Sequence, residues 1–243
     1  MDASTRGPRA LHMVWQDLLF AHWRVPADAL RSRIPEPLAL DTFQGEAWLA
    51  VVPFRMSGVR PRGLPSIPPF SRFPELNVRT YVEHEGRKGV WFFSLDAADR
   101  LAVRVARRAF HLPYFDARME LQTEASTGEA DWVRYRSSRT HRGAPSAEFH
   151  ARYRPTSEVF ESTTGSLEEF LTERYSLFAA DAGGRVFRGD VDHAPWPLQR
   201  AECEIKTCDM TRLCGFELPL GTAPHLLFAR GLDVWAHWPF RIA

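Results

Sequence analysis

Three runs in the first hundred residues constrain this chain most. Ala47–Met56 (AWLAVVPFRM), Glu75–His84 (ELNVRTYVEH) and Lys88–Asp96 (KGVWFFSLD) are rich in β-branched and aromatic residues and read as strands. Glu85-Gly86 marks a tight turn between the last two, which predicts a β-hairpin. Between the first two lies Val59 to Pro74, where Pro61, Pro65, Pro68, Pro69 and Pro74 crowd together. Proline at that density opposes both helix and central strand, so Val59–Pro74 is expected to be a long loop. Whether the Pro61–Pro74 part closes over a site as a lid is open at this level.

Further strands are expected at Asp131–Ser138, Glu148–Arg154, Arg185–Asp190, Gln199–Thr207 and Leu232–His237. Helices are few: a short one at Ala27–Arg33, an amphipathic one at Ala97–Phe110, and one at Ser166–Tyr175 that opens with Ser166 and Glu169 in capping-box spacing. Many strands, few helices and no βαβ alternation indicate an α+β protein built on an antiparallel sheet or barrel. No linker divides the chain, and 243 residues suffice for one large core. The expectation is a single domain over 1–243, with 1–12 as a flexible extension.

A formal net charge of +1 opposes a main role in binding nucleic acid or an anionic membrane surface. The longest apolar run, Ala47–Phe54, is far short of a spanning helix, and the first residues lack a signal-peptide core. A cytoplasmic protein without membrane or nucleic-acid partner follows; a homo-oligomer is possible. Cys203, Cys208 and Cys214 form no Cys-x-x-Cys pair, and the nearest histidine, His193, is ten residues upstream of the first. Reduced thiols are therefore expected, with no metal site and no cofactor. Nucleophile-elbow, zinc-helix, dinucleotide and phosphate-loop motifs are missing.

Within Glu75–Tyr81 a period of two puts Glu75, Asn77, Arg79 and Tyr81 on one face and Leu76, Val78 and Thr80 on the other. This polar row is either a wet outer face with cross-strand ion pairs or the lining of a ligand cavity. In Ala97–Phe110, Leu101, Val105 and Ala109 fall at helical spacing, and Arg100, Arg104, Arg107 and Arg108 cover the rest as a solvated basic face. Pro113 ends that helix, which places His111 and Tyr114 on an exit loop, where functional groups are often presented. His22 and His193 read as structural histidines.

Several segments together resemble the bacterial YqjF-like family. They are Trp23-Arg24, Asp28–Arg31, Ile34–Leu38, Phe73–Tyr81, Gly89–Leu95, Leu112–Phe115 and Ser166–Tyr175. That family is in turn similar to acetoacetate decarboxylase. The decarboxylase pattern matches Arg24, Asp28–Arg31 and Pro35–Leu38, has a cavity glutamate at Glu75, and has an arginine at Arg107 in register with Pro113. The resemblance implies a closed antiparallel β-barrel, cone-like, with a few peripheral helices, whose interior holds the site and receives the Glu75 row. It also implies a Schiff-base lysine directly after Pro113, and here that position and the next are Tyr114 and Phe115. Neither forms an imine. Lys88 and Lys206 are the only lysines, and neither fits the pattern.

Three functions remain open. A small-molecule binder would hold a carboxylate or oxo acid in a barrel cavity, with Tyr114 and Phe115 filling the vacated lysine space. An acid/base enzyme without imine chemistry would use Glu75 as base, Tyr114 or His111 as proton donor, and Arg79 or Arg107 on the anion, with Asn77 and Tyr81 beside the substrate. A scaffold would have its barrel plugged by its own side chains.

Overall fold

A strand of seventeen residues that the alternation conceals organises the molecule. In a computed structural model, which describes residues 6–67, 71–127, 130–217 and 223–243, β1 (Arg9–Val25) pairs along its length with two neighbours. Its burial pattern reads as continuous because of a bulge at Asp17, a non-glycine residue at φ 53°. Before the bulge Met13 and Trp15 face one side; after it Leu18 and Phe20 face that same side, and Leu19, Ala21, Trp23 and Val25 face the other. One extra residue thus inverts the alternation. The Asp17 carboxylate is held by Arg55 and, at 3.3 Å, by Arg230, while the Tyr153 hydroxyl donates to its carbonyl at 2.8 Å.

The remaining elements are α1 (Ala27–Arg31), β2 (Ala39–Leu40), β3 (Ala47–Pro61), β4 (Phe73–His84), β5 (Arg87–Ala97), α2 (Arg100–Ala109), β6 (Tyr114–Glu124), β7 (Trp132–Arg139) and β8 (Glu148–Pro155). After them come α3 (Leu167–Thr172), β9 (Ser176–Ala180), β10 (Val186–Asp192), β11 (Leu198–Cys208), β12 (His225–His237) and β13 (Phe240–Arg241). The predicted hairpin is β4–β5, with Glu85 and Gly86 both at positive φ as a two-residue turn requires.

Strand pairing closes in two ways. The path β5-β6-β7-β8-β11-β12-β1-β3-β4 returns to β5 and makes a closed nine-stranded barrel. A shorter path, β5-β9-β10-β12, closes through the same β1, β3 and β4 to make a second ring. Pairing is antiparallel except at β5–β6 and β5–β9. Gly89 permits the latter, because a Cβ there would lie 2.3 Å from the Ser176 carbonyl oxygen.

The two rings hold separate cores. Tyr135, Phe149, Ala151 and Tyr153 fill the nine-stranded barrel from β7 and β8, meeting Leu49, Val51, Leu76 and Val78 from the shared wall. Phe54, Tyr81, Phe92, Val103, Tyr114, Phe170 and Trp196 belong to the other face. The barrel interior is thus filled by large side chains from β7, β8 and the shared wall, and a cavity lies on the second-ring side. The cysteines are free thiols, pushed up to about 12, 11 and 12 by burial. No helix among the described residues is long and apolar enough to cross a membrane.

Several expectations need correction. The proline-rich stretch is not loop from Val59, since β3 runs on to Pro61 and β4 begins at Phe73; Pro68 and Pro69 lie outside the described residues. Proline is tolerated at Pro61 because it ends the strand. Residues 6–12 are not a loose extension. Arg6 and Arg9 reach Asp192, and β1 pairs with β12 from Arg9 onward. Tyr114 starts a strand rather than sitting in a loop.

Candidate functional site

The second ring encloses a cavity of about 400 Å³. Its walls are apolar side chains of the shared strands, among them Met13, Trp15, Val52, Phe54 and Phe92, capped by Trp196 and by α2. Across this apolar lining β4 lays the polar row Glu75, Asn77, Arg79, joined by Tyr114 from β6 and Thr172 and Arg174 from the end of α3. The row faces inward because Leu76 and Val78, on the opposite side of β4, are committed to the packed barrel. A wet outer face is thus excluded: Glu75, Asn77 and Arg79 are 2%, 5% and 9% exposed.

Glu75 accepts a 2.7 Å hydrogen bond from the Tyr114 hydroxyl, and its carbonyl accepts one of 2.6 Å from Tyr135 inside the barrel. Burial pushes the Glu75 carboxyl up to about 8 against the pull of the Tyr114 hydrogen bond, with nearby Asp96 adding to the rise. At neutral pH it is mostly the uncharged acid. Burial also raises the Tyr114 phenol well above its ordinary value, so it stays protonated. Asp96 itself sits on the other side of β5 in a fully buried pair with Arg139, whose Nε donates at 3.0 Å.

Arg79 differs from the other buried arginines. Arg139 pairs with Asp96, Arg174 with Asp41 at 2.6 Å and Arg188 with Asp190 at 3.3 Å. Arg79 has no carboxylate within ion-pair distance among the described residues, and its Nε is buried without a hydrogen-bond partner. Its guanidinium lies over the Phe20 ring, 5.6 Å from the centroid, beside the Tyr81 hydroxyl. Burial lowers its pKa from the ordinary value. Asn77 Oδ1 and Arg174 Nη2 are also buried and unpartnered.

The remaining predicted residues stand elsewhere. Tyr81 is fully buried beyond the cavity lining, where its hydroxyl donates to the Leu171 carbonyl at 3.0 Å and lies 2.7 Å from His22 Nε2. Arg107 is exposed and donates to the Tyr114 carbonyl at 2.6 Å, which steadies the start of β6 rather than reaching the cavity. His111, at φ 55°, stacks on Phe187 at 3.9 Å and does not line the cavity. Phe115 also points away from it, against Arg139 at 4.1 Å, so Tyr114 alone of the expected pair faces the space. Lys88 lies 3.9 Å from Asp41 with most of its side chain exposed, Lys206 is exposed, and neither lines the cavity. Sequence reasoning missed Arg174 and Thr172. Their only signal was their place in the Ser166–Tyr175 segment.

A family profile described as an uncharacterized conserved protein, DUF2071, matches residues 12–233. The chain belongs to this family. Its similarity to the uncharacterized protein YqjF of Bacillus subtilis (strain 168) is 44% identity over 231 residues, spanning 95% of this chain and 91% of that one. Among solved structures, this chain shares its fold with the enduracididine biosynthesis enzyme MppR complexed with pyruvate, at TM-score 0.65 and 13% identity over 100% of this chain and 93% of that one. An acetoacetate decarboxylase-like enzyme from Sphingomonas wittichii RW1 aligns at TM-score 0.64 and 14% identity, covering 97% and 93%. The acetoacetate decarboxylase of Legionella pneumophila aligns at 0.62 and 12%, covering 97% and 88%. At such identities the likeness establishes the fold of this chain as acetoacetate decarboxylase-like and leaves its chemistry to the site.

Proposed function

We propose that this protein binds a small organic carboxylate in the second-ring cavity, with Arg79 as the anion anchor and without imine chemistry. The observation that carries this reading is the Arg79 guanidinium, buried in a cavity wall without a carboxylate partner. A buried charge left without a counter-charge is costly, and a ligand carboxylate would supply two acceptors in the geometry a guanidinium fits. The exposed settings of Lys88 and Lys206 support the exclusion of a Schiff base. Thermal-shift measurements against small carboxylic and oxo acids test the reading. A true ligand at about 100 times its Kd stabilises the folded state by about 2.7 kcal/mol. The shift should disappear in Arg79→Met, and an unchanged shift in that variant would remove Arg79 from the role.

One observation favours a catalytic reading of the same site. Glu75, held at about 8 and hydrogen-bonded to Tyr114, is placed to exchange a proton with a bound molecule near neutral pH. With a binding acid in hand, NMR of the ligand over hours reads turnover directly. Glu75→Gln should abolish turnover and leave binding; persistence of turnover would dismiss Glu75 as the base.

A further inference from the structure

We propose that the ligand is a monocarboxylate with an extended apolar tail, its head at Arg79 and Arg174 and its tail running along β4 to a mouth beneath α2. This rests on the carboxylate reading and adds charge, polarity and direction to it. Charge is settled by counting the ionisable groups that line the cavity. Arg174 is neutralised by Asp41, while Arg79 is left over. Glu75 is raised toward neutrality, and burial lowers the pKa of His193, which faces the same space. Asp99, the remaining carboxylate of the lining, stands at the α2 end and accepts from the Ala102 amide as helix cap. Asp99 is therefore at the opposite end from Arg79, and the one positive charge left uncompensated at the Arg79 end calls for one negative charge on the ligand there.

Direction follows from the order of residues. Arg79 lies on β4 opposite Phe92 of β5, while Glu75 lies opposite Ala97, just before α2 begins. The four-residue step separates them by about 13 Å along the strand. Beyond Glu75 the lining continues as Phe73, Met56, Val59 and Pro61 and then reaches α2 and the proline-rich connection. There the wall turns outward: Ile67, Leu101 and Val105 line the cavity yet are 65%, 57% and 48% exposed. Apolar side chains that are both lining and solvent-exposed mark an opening that favours an apolar chain. A molecule the size of a short oxo acid would satisfy Arg79 and leave most of about 400 Å³ of apolar space uncovered.

The test is isothermal titration calorimetry with butanoate, hexanoate, octanoate and decanoate, together with decanol and decanedioate. Affinity should rise about fourfold per added methylene, the equivalent of about 0.8 kcal/mol for each buried CH₂. Decanol and decanedioate should bind at least about tenfold more weakly than decanoate, since each breaks the charge match. Val105→Glu at the mouth should weaken decanoate while sparing butanoate. Arg79→Met should erase the preference for decanoate over decanol, with the neutral Arg79→Gln as the variant of choice if Met unfolds the chain. Affinity independent of chain length would overturn the tail and leave the carboxylate reading intact. Equal binding of decanedioate would overturn the charge count. Failure of every acid to bind would overturn the carboxylate reading itself.

Discussion

Arg79 is a buried guanidinium without a carboxylate partner among the described residues, which costs the folded chain stability. A buried polar group left partly unsatisfied costs about 1–3 kcal/mol, so Arg79→Met should raise the melting temperature of the ligand-free chain. A fall would show that the guanidinium is satisfied internally. Glu75 sets a pH dependence whose sign is definite. Its pKa rises from 4.5 to about 8 on folding, so the folded chain holds this proton more tightly than the unfolded one. The stabilising contribution is complete below about pH 4.5 and is lost as pH rises to about 8. Melting curves across that window should show the wild type losing stability with pH relative to Glu75→Gln, which has no proton to release. The Asp96–Arg139 pair is structural. Removing one partner, as in Arg139→Met, leaves the Asp96 carboxylate buried alone and should cost about 3–5 kcal/mol by urea denaturation.

Among elements, β9 closes the second ring by linking β5 to β10 and contributes Leu177 to the cavity lining. It joins β5 only at Val90–Leu177 and Trp91–Phe178, and that approach depends on the bare backbone of Gly89. A methyl there would also meet the Phe178 ring at 2.7 Å. Gly89→Ala should therefore cost about 1–3 kcal/mol through overpacking and loosen the second ring, read as lower stability with weakened ligand binding. An unaffected Tm would mean that β9 can shift without loss. The local signals for α3 were complete: Ser166 Oγ accepts from the Glu169 amide at 3.2 Å, although Glu169 returns its carboxylate to Gly165 rather than to Ser166. For α2 the helix was legible and its buried face was not. Leu101 and Val105 look like a core stripe, yet Val103 is the residue fully enclosed.

At the scale of the whole molecule, the five strands β12, β1, β3, β4 and β5 belong to both rings. Neither ring can open without disturbing the other, so far-UV circular dichroism and tryptophan fluorescence should report one coincident unfolding transition. Separate midpoints would mean that the second ring melts alone. The N-terminal residues are part of this closure. Asp192 of β10 gathers Arg6, Arg9 and, at 2.8 Å, His237, which ties the beginning of β1 to the far side of the second ring. A chain lacking residues 1–12 should melt at lower temperature than the full chain, and an equal Tm would contradict this tie.

What the sequence determined by itself is local and periodic. The β4–β5 hairpin, the helices at α1, α2 and α3, and the grouping of Glu75, Asn77 and Arg79 on one face follow from turn chemistry, capping and the two-residue period, all of which act over a few neighbours. The family resemblance added the closed barrel. The tertiary structure decided the rest, because these properties depend on contacts between distant segments. The bulge at Asp17 inverts the alternation of β1 and so hides a strand that spans both cores. The polar face of β4 turned inward only because a second ring covers it. Arg174 joined Arg79 across ninety-odd residues of sequence, and Arg107 and His111 were turned away from the cavity by contacts to Tyr114 and Phe187. A period tells which side chains share a face; only the packing of the whole chain tells what that face meets.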